Sequence, residues 1–238
     1  MQKALVVLGT LMLATGTAFA QAAKTATPPD ITGVYKPISS KTVLPGGLKN
    51  AGTLADLPLT PAAAQKMKTV DLKEDPAKLC QPLGPFRMMA RETTKIQILP
   101  VPGMVAILFE NLSHGLIRTV FTERGHPAKQ NPLWMGDSVG RWEGDTFVVD
   151  TIGFNDKTWI GGGGSIHSEN MHVVERFTLN DDDSMTYQVM VEDPDALTKP
   201  YYTGSIYRRP IDVRVEEYEC IENNPDPGHM NKAAGRTK

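Results

Sequence analysis

His167, Glu169, His172 and Glu175 follow directly on the run Gly161 to Gly164 and form the densest group of ionisable side chains in a stretch that is otherwise apolar or turn-like. An imidazole is the natural proton carrier near neutral pH, and a carboxylate among apolar neighbours has its pKa pushed toward the range useful to a general acid or base. These four residues are therefore the candidate catalytic set, with Glu175 and a histidine moving protons. The glycines above them allow a hinged lid or a tight turn. Each residue also has a plainer reading. Glu175 could pair with Arg118 or Arg208 as a structural ion pair, and His167 and Glu169 could be loop residues closing hydrogen bonds.

The same side chains carry nitrogen and oxygen donors for a metal, but the zincin spacing His-Glu-x-x-His is absent. If Met171 to Leu179 is a strand, Met171, Val173, Glu175, Phe177 and Leu179 share the more apolar face and His172, Val174 and Arg176 the other. That splits His172 from Glu175. The expectation is a site with no metal ligand set and no cofactor, with a bound divalent metal as the lesser alternative. Ser138 and Ser168 lack a nucleophile-elbow context, and no phosphate-cradling or dinucleotide fingerprint occurs.

A second set of residues suits holding a ligand. Trp142, Trp159, Phe154, Tyr201 and Tyr202 supply aromatic surface, although aromatics in β-proteins also build cores. Glu110 and Arg118 flank the Asn111 to Gly115 turn and could pair across it, or orient a ligand if both face an interior. Asn155 is a further polar contact and Asp150 a weaker one.

These residues must be positioned by short strands. Alternating apolar and polar residues at Lys95 to Leu99, Met104 to Glu110 and Leu116 to Thr122, separated by turn residues, read as a β-meander. Arg141 to Glu143 and Thr146 to Ile152 flank Gly144-Asp145, and Met171 to Leu179 is followed by Met185 to Val191 across a polar turn. Tyr201 to Arg208 and Val213 to Cys220 complete eight to ten strands. No long helical pattern separates them, which excludes a parallel α/β sheet. Closing the meander removes exposed edges, so the expected fold is all-β: an antiparallel barrel, with a β-sandwich as the alternative. One helix precedes it, opened by the cap and first-turn proline Thr60-Pro61 and ended at Asp75-Pro76. The segment from Cys80 to Arg87 carries three turn-formers and reads as fixed but irregular.

The chain begins with a lysine, a short apolar run and Ala18-Phe19-Ala20, the pattern of a secretory leader covering residues 1–20. No second apolar run approaches membrane length. Residues 21–58 read as an extended arm with Ile31 to Tyr35 as its one short strand candidate, 59–222 as a single barrel domain, and 223–238 as a flexible tail. A periplasmic or secreted location follows. Of 238 residues, 25 are Lys or Arg and 27 Asp or Glu, a formal charge of −2 with no basic stripe to meet phosphates, so nucleic acid is not an expected partner. Small molecules are, and the oligomeric state is open. Cys80 and Cys220 suit a disulfide in an oxidising compartment, closing a loop worth about 4–5 kcal/mol on the chain-entropy account, the alternative being two separate thiols.

At Trp142-Glu-Gly-Asp-Thr-Phe-Val-Val-Asp-Thr-Ile-Gly-Phe-Asn155, His167-Ser-Glu-Asn-Met-His-Val-Val-Glu-Arg-Phe177 and Glu192-Asp-Pro194, the chain resembles a group of exported bacterial proteins of unassigned activity. The likeness runs over roughly residues 78–222 and carries over no catalytic residues. The Trp-x-Gly-Asp strand followed by Glu-Arg-Phe also resembles calycin-type barrels such as lipocalins and fatty-acid-binding proteins, which implies a ligand cavity. The functional expectation is an acid–base enzyme of lyase, isomerase or cyclase type acting on an apolar or aromatic metabolite. Alternatives are a non-catalytic ligand-binding protein and a structural or interaction module of the cell envelope.

Overall fold

The computed structural model describes residues 27–38, 56–89, 94–110, 116–210 and 213–220. The expected leader at 1–20, the tail at 223–238 and the Asn111 to Gly115 turn lie outside these residues, as does most of the arm at 21–58. Nine strands close into a barrel: β1 (Gly33–Pro37), β2 (Ile96–Val101), β3 (Met104–Phe109), β4 (Ile117–Phe121), β5 (Asp137–Glu143), β6 (Thr146–Ile152), β7 (His172–Leu179), β8 (Ser184–Glu192) and β9 (Tyr201–Arg208). Each strand pairs with the next in sequence, and β1 closes the ring against β9. Two short helices precede β2, α1 (Pro61–Thr69) and α2 (Pro85–Met89). Thr60 caps α1, its hydroxyl accepting from the Ala63 amide at 3.2 Å, with proline in the first turn.

The barrel expected from the alternating pattern is present, and the sandwich is not. Two helices stand where one was expected, α1 ends at Thr69 rather than at Asp75-Pro76, α2 starts within the Cys80 to Arg87 segment read as irregular, and β5 begins at Asp137 rather than Arg141. Three further details of the strands differ from the sequence reading. The pairing of β4 with β5 is parallel, Val120 facing Ser138 and Phe121 facing Val139, because the turn-rich connection 122–136 is long enough to return the chain before β5 begins. β1 falls inside the stretch read as an arm, so the barrel wall starts before residue 59. Val213 to Cys220, read as the last strand, has no strand structure over 213–219. The ring is already closed by β1 and β9 and offers this segment no edge. It is held instead through side chains: the Glu216 amide donates to Glu110 Oε1 at 3.2 Å, and Lys95 Nζ donates to the Arg214 carbonyl at 3.2 Å.

The wall has two short seams. Besides β4 against β5, β1 meets β9 through Lys36 opposite Arg208 and Pro37 opposite Tyr207, extended by the Ile38 amide donating to the Ile206 carbonyl at 2.8 Å, and the longer ladders run within β1–β4 and within β5–β9. Inward side chains alternate with outward ones along every strand. Phe109, Val120, Phe147, Val149, Phe177, Tyr187 and Tyr207 all point inward and are essentially without solvent exposure. Phe177 and Tyr187 lie 5.2 Å apart between ring centres, and Tyr187 and Tyr207 6.2 Å. The buried residues of α2 join this core: Phe86 meets Tyr201 edge-on, and the Tyr207 hydroxyl donates to the Met89 carbonyl. Gly140 on β5 faces inward as well, and a Cβ there would stand 2.5 Å from Phe147 Cζ and 2.8 Å from Val120 Cγ1. These side chains surround Glu175 in the interior, with Tyr187 in direct contact with its carboxylate. Cys80 and Cys220 form a disulfide, tying the segment before α2 to the one after β9.

Candidate functional site

The four residues read as one proton-moving set occupy three separate environments. Glu175 is inward on β7 and fully buried, as the alternation required. Its carboxylate meets the Arg118 guanidinium in a two-pronged pair: Arg118 Nη1 donates to Oε1 at 3.0 Å, and Nη2 donates to Oε2. Tyr187 donates its hydroxyl to the same Oε1 at 2.9 Å. Arg118 also donates through Nε to Ser138 Oγ at 3.2 Å and through Nη2 to Thr151 Oγ1 at 2.9 Å. Burial, with the Glu175 charge beside it, pushes the Tyr187 phenol well above its ordinary pKa and keeps it a donor. The arrangement is a satisfied ion pair, the plainer of the two readings of Glu175, and Arg118 is engaged by protein rather than by a ligand. Because β4, β5, β6 and β7 each contribute a member, the network stitches the β4/β5 seam from inside.

His167 and Glu169 stand elsewhere, on a surface cleft of about 310 Å³ between α1, the segment 166–169 and the turn after β8. Local folding explains the placement. The glycine run is a tight turn: the Ile160 amide donates to the Ser165 carbonyl at 2.7 Å, the Gly161 amide to Ser165 Oγ at 2.8 Å, and Trp159 bridges Ile166. Gly164, at φ +83°, lies so close to α1 that a Cβ would run into the Val70 side chain. Asp193, just beyond β8, then fixes both rims of the cleft, accepting from the Ser168 amide at 2.6 Å, Ser168 Oγ at 2.9 Å and the Ala196 amide at 3.1 Å.

The cleft has an apolar floor of Ala62, Ala63, Ile166 and Ala196, and a charged rim of Lys66, Asp156, Glu169 and Asp195. His167 is 4 % exposed at its back. Its Nδ1 donates to the Ser168 carbonyl at 2.8 Å, which leaves Nε2 to accept from the Thr158 hydroxyl at 2.5 Å. Phe154 meets the ring edge-on with centroids 6.0 Å apart. Burial lowers the His167 pKa, outweighing the carbonyl and the nearby Asp193 and Asp156, which favours the neutral ring.

His172 points outward from β7, opposite in face to Glu175. Its Nε2 lies 3.0 Å from Asp150 Oδ2 and its Nδ1 3.4 Å from Glu192 Oε2. The hydrogen bond that its ring N–H donates to the Asp150 carboxylate is the main reason its pKa is raised, with burial opposing. On the far side of Asp150, His126 places Nε2 2.9 Å from Oδ1 and Nδ1 2.8 Å from Asp137 Oδ1.

The residues read as ligand contacts are likewise dispersed. Trp142 packs on Phe147 and Trp159 lies beneath the Arg87 guanidinium, while Phe154 and Tyr201 are core. Asn155 is buried and its Oδ1 accepts from the Lys157 amide. Glu110 pairs with Lys95 and not with Arg118. Tyr202 alone is well exposed, at 55 %, on an apolar groove of about 400 Å³ on the outer wall with Val174 and Met190. Among the described residues, no three His, Cys, Asp or Glu side chains are grouped to hold a metal ion, and no helix is long and apolar enough to cross a membrane. Sequence reading missed Lys66, Asp156, Asp195 and Thr158 at the cleft, and His126. The cleft residues come from three distant segments with no shared spacing. The signal for His126 was its isolation in a polar loop ahead of Asp137 and Asp150.

No family model matches the chain, and no curated protein matches it. Among solved structures, one described as "REP1-NXSQ fatty acid transporter" aligns with 51 % of this chain and 73 % of its own, at 10 % identity and a TM-score of 0.33. A likeness that slight bears on neither the fold's details nor its function.

Proposed function

We propose that this is an exported small-molecule-binding protein whose ligand occupies the cleft between α1 and the His167 to Glu169 segment. The observation that carries the reading is the cleft itself: an apolar floor under a rim of four charged side chains, with both walls fixed by the tight glycine turn and by Asp193. Such a mix of apolar surface and a few convergent polar groups is what a ligand site requires. It suits a small, partly apolar molecule carrying a polar or charged group. The Cys80 to Cys220 disulfide supports export to a periplasmic or extracellular compartment, as does the resemblance to exported bacterial proteins.

The test is a fragment screen by ligand-observed NMR on the wild-type protein and on Ala62→Trp, a substitution at an exposed position of α1 that fills the cleft. Fragments that bind the wild type and are lost in the variant, with the melting temperature unchanged, support the site. Equal binding to both proteins would move the site elsewhere. Acid–base turnover in this cleft would have to use His167, whose Nε2 is occupied by the Thr158 hydroxyl. Thr158→Val frees that nitrogen, and a turnover reading requires a substrate whose conversion changes with it. The interior Glu175 no longer enters that reading, because Arg118 and Tyr187 already claim its carboxylate.

A further inference from the structure

On the outside of the barrel wall, five side chains form one continuous row: Asp137 on β5, His126 from the 122–136 connection, Asp150 on β6, His172 on β7 and Glu192 on β8. Arg124 closes the row at the Asp137 end, Nη2 to Oδ2 at 2.6 Å and Nη1 to Oδ1 at 3.2 Å. A neutral imidazole has one N–H and one lone pair. His126 presents both ring nitrogens to carboxylate oxygens, at 2.8 and 2.9 Å, so both contacts are hydrogen bonds only when the ring carries two protons. His172 faces the same situation with Asp150 and, at longer range, Glu192. With both rings protonated, Arg124, His126 and His172 balance Asp137, Asp150 and Glu192, three charges against three. With both neutral, one cation faces three carboxylates.

We propose that this row is a protonation-dependent latch that holds the 122–136 connection against the barrel wall and releases it as the imidazoles lose their protons. The connection is the element with something to release. Beyond the latch it crosses the strip that backs the ligand cleft: the Leu133 amide donates to the Gly153 carbonyl at 2.9 Å, the Asn155 amide to the Leu133 carbonyl at 2.9 Å, and Gln130 lies against Gly153. Most of residues 122–133 are exposed and the Gln130 Oε1 is buried with no hydrogen-bond partner among the described residues, so between the latch and Leu133 little besides the hydrogen bond from the Gln130 side-chain amide to the Pro127 carbonyl fixes this stretch. Thr158, which holds His167 in place, follows on the same strip. The raised pKa of His172 and the lowered pKa of Asp150 accord with the charged form of the row. The latch stands independently of whether the cleft binds a ligand.

The test is hydrogen–deuterium exchange of the full chain at pH 5.5 and 8.0, corrected for the intrinsic pH dependence of exchange. In the wild type, protection of residues 124–136 falls roughly tenfold at the higher pH, the population change that one unit of differential protonation supplies, while β8 is unaffected. In His126→Gln, whose side chain cannot carry the second proton, protection of that stretch is already low at pH 5.5 and changes little. Equal protection at both pH values in the wild type overturns the proposal, as does an undiminished pH response in the variant. Nitrogen-15 shifts of the wild-type histidine rings keep the question answerable if the variant fails to fold. A neutral His126 ring at pH 5.5 overturns the latch, and a doubly protonated one supports it.

Discussion

At the scale of single residues, the most consequential group is the Arg118 and Glu175 pair, since each is a charge with no access to water. Removing one partner leaves the other buried and uncompensated, which costs about 3–5 kcal/mol. Glu175→Gln is therefore expected to lower the urea midpoint sharply, and a double change to apolar residues at both positions to cost much less than the sum of the singles, as a double-mutant cycle would show. Gly140→Ala forces a Cβ onto Phe147 and Val120 and is expected to cost about 1–3 kcal/mol by overpacking, measured the same way. The alternation along Met171 to Leu179 was enough to send Glu175 inward and His172 outward. It could not choose between Arg118, Arg208 and open space as the carboxylate's partner, because that choice depends on how far β4 lies from β7 around a ring whose strand number was unknown. His126 was illegible for a different reason: it sits in a breaker-rich loop where no periodicity assigns a face.

At the scale of elements, turn chemistry and alternation located β2 to β4 and β6 to β9 and the last three residues of β5, whose start at Asp137 was lost among turn residues, while the other exceptions have separate physical causes. β1 was overlooked as wall because five residues among Thr, Pro and Lys carry little pattern, yet Tyr35 faces inward opposite Ile96 and its hydroxyl donates to the Ile31 carbonyl. Helix α2 hid behind its turn-formers, although Pro85 at its first position is a helix-start signal. Val213 to Cys220 carried strand-like alternation but met a ring already closed. That segment depends on Cys220 for its attachment, so Cys80→Ser with Cys220→Ser is expected to lose about 2–5 kcal/mol against denaturant, and the wild type to lose as much on reduction. A loss below that range would mean that Lys95, Glu110 and Glu216 hold the segment without the bond.

At the scale of the whole molecule, His172 of the outer row and His167 of the cleft pull stability in opposite directions with pH. The folded pKa of His172 is raised, chiefly by Asp150, so its stabilisation is complete below about 6.5, the unfolded value, and drains away as pH rises through the higher folded value. Asp150, lowered first by its hydrogen bond to His172, stabilises above its unfolded 3.8 and loses that as pH falls through its lower folded value. Asp137 behaves in the same way, since burial raises its pKa but Arg124 and His126 outweigh burial. His167 opposes His172 and has the sign of the two carboxylates, because burial lowers its pKa and acid therefore costs stability below 6.5. The melting temperature of the wild type minus that of His172→Gln isolates the row: the difference is expected to be largest between about pH 4 and 6.5 and to shrink above it. A difference that grows toward alkaline pH would mean that Asp150 does not stabilise the protonated His172 ring. The two short seams in the wall have one further consequence. Once the Cys80 to Cys220 bond that ties the two halves is reduced, warming concentrated molecules is expected to let the staves β1–β4 of one copy part from β5–β9 at the joint between Val120 and Ser138 and marry the matching half of a neighbour, whereas the oxidised chain stays single. Arg118, reaching across that joint to Glu175, is the rivet such an exchange must first draw.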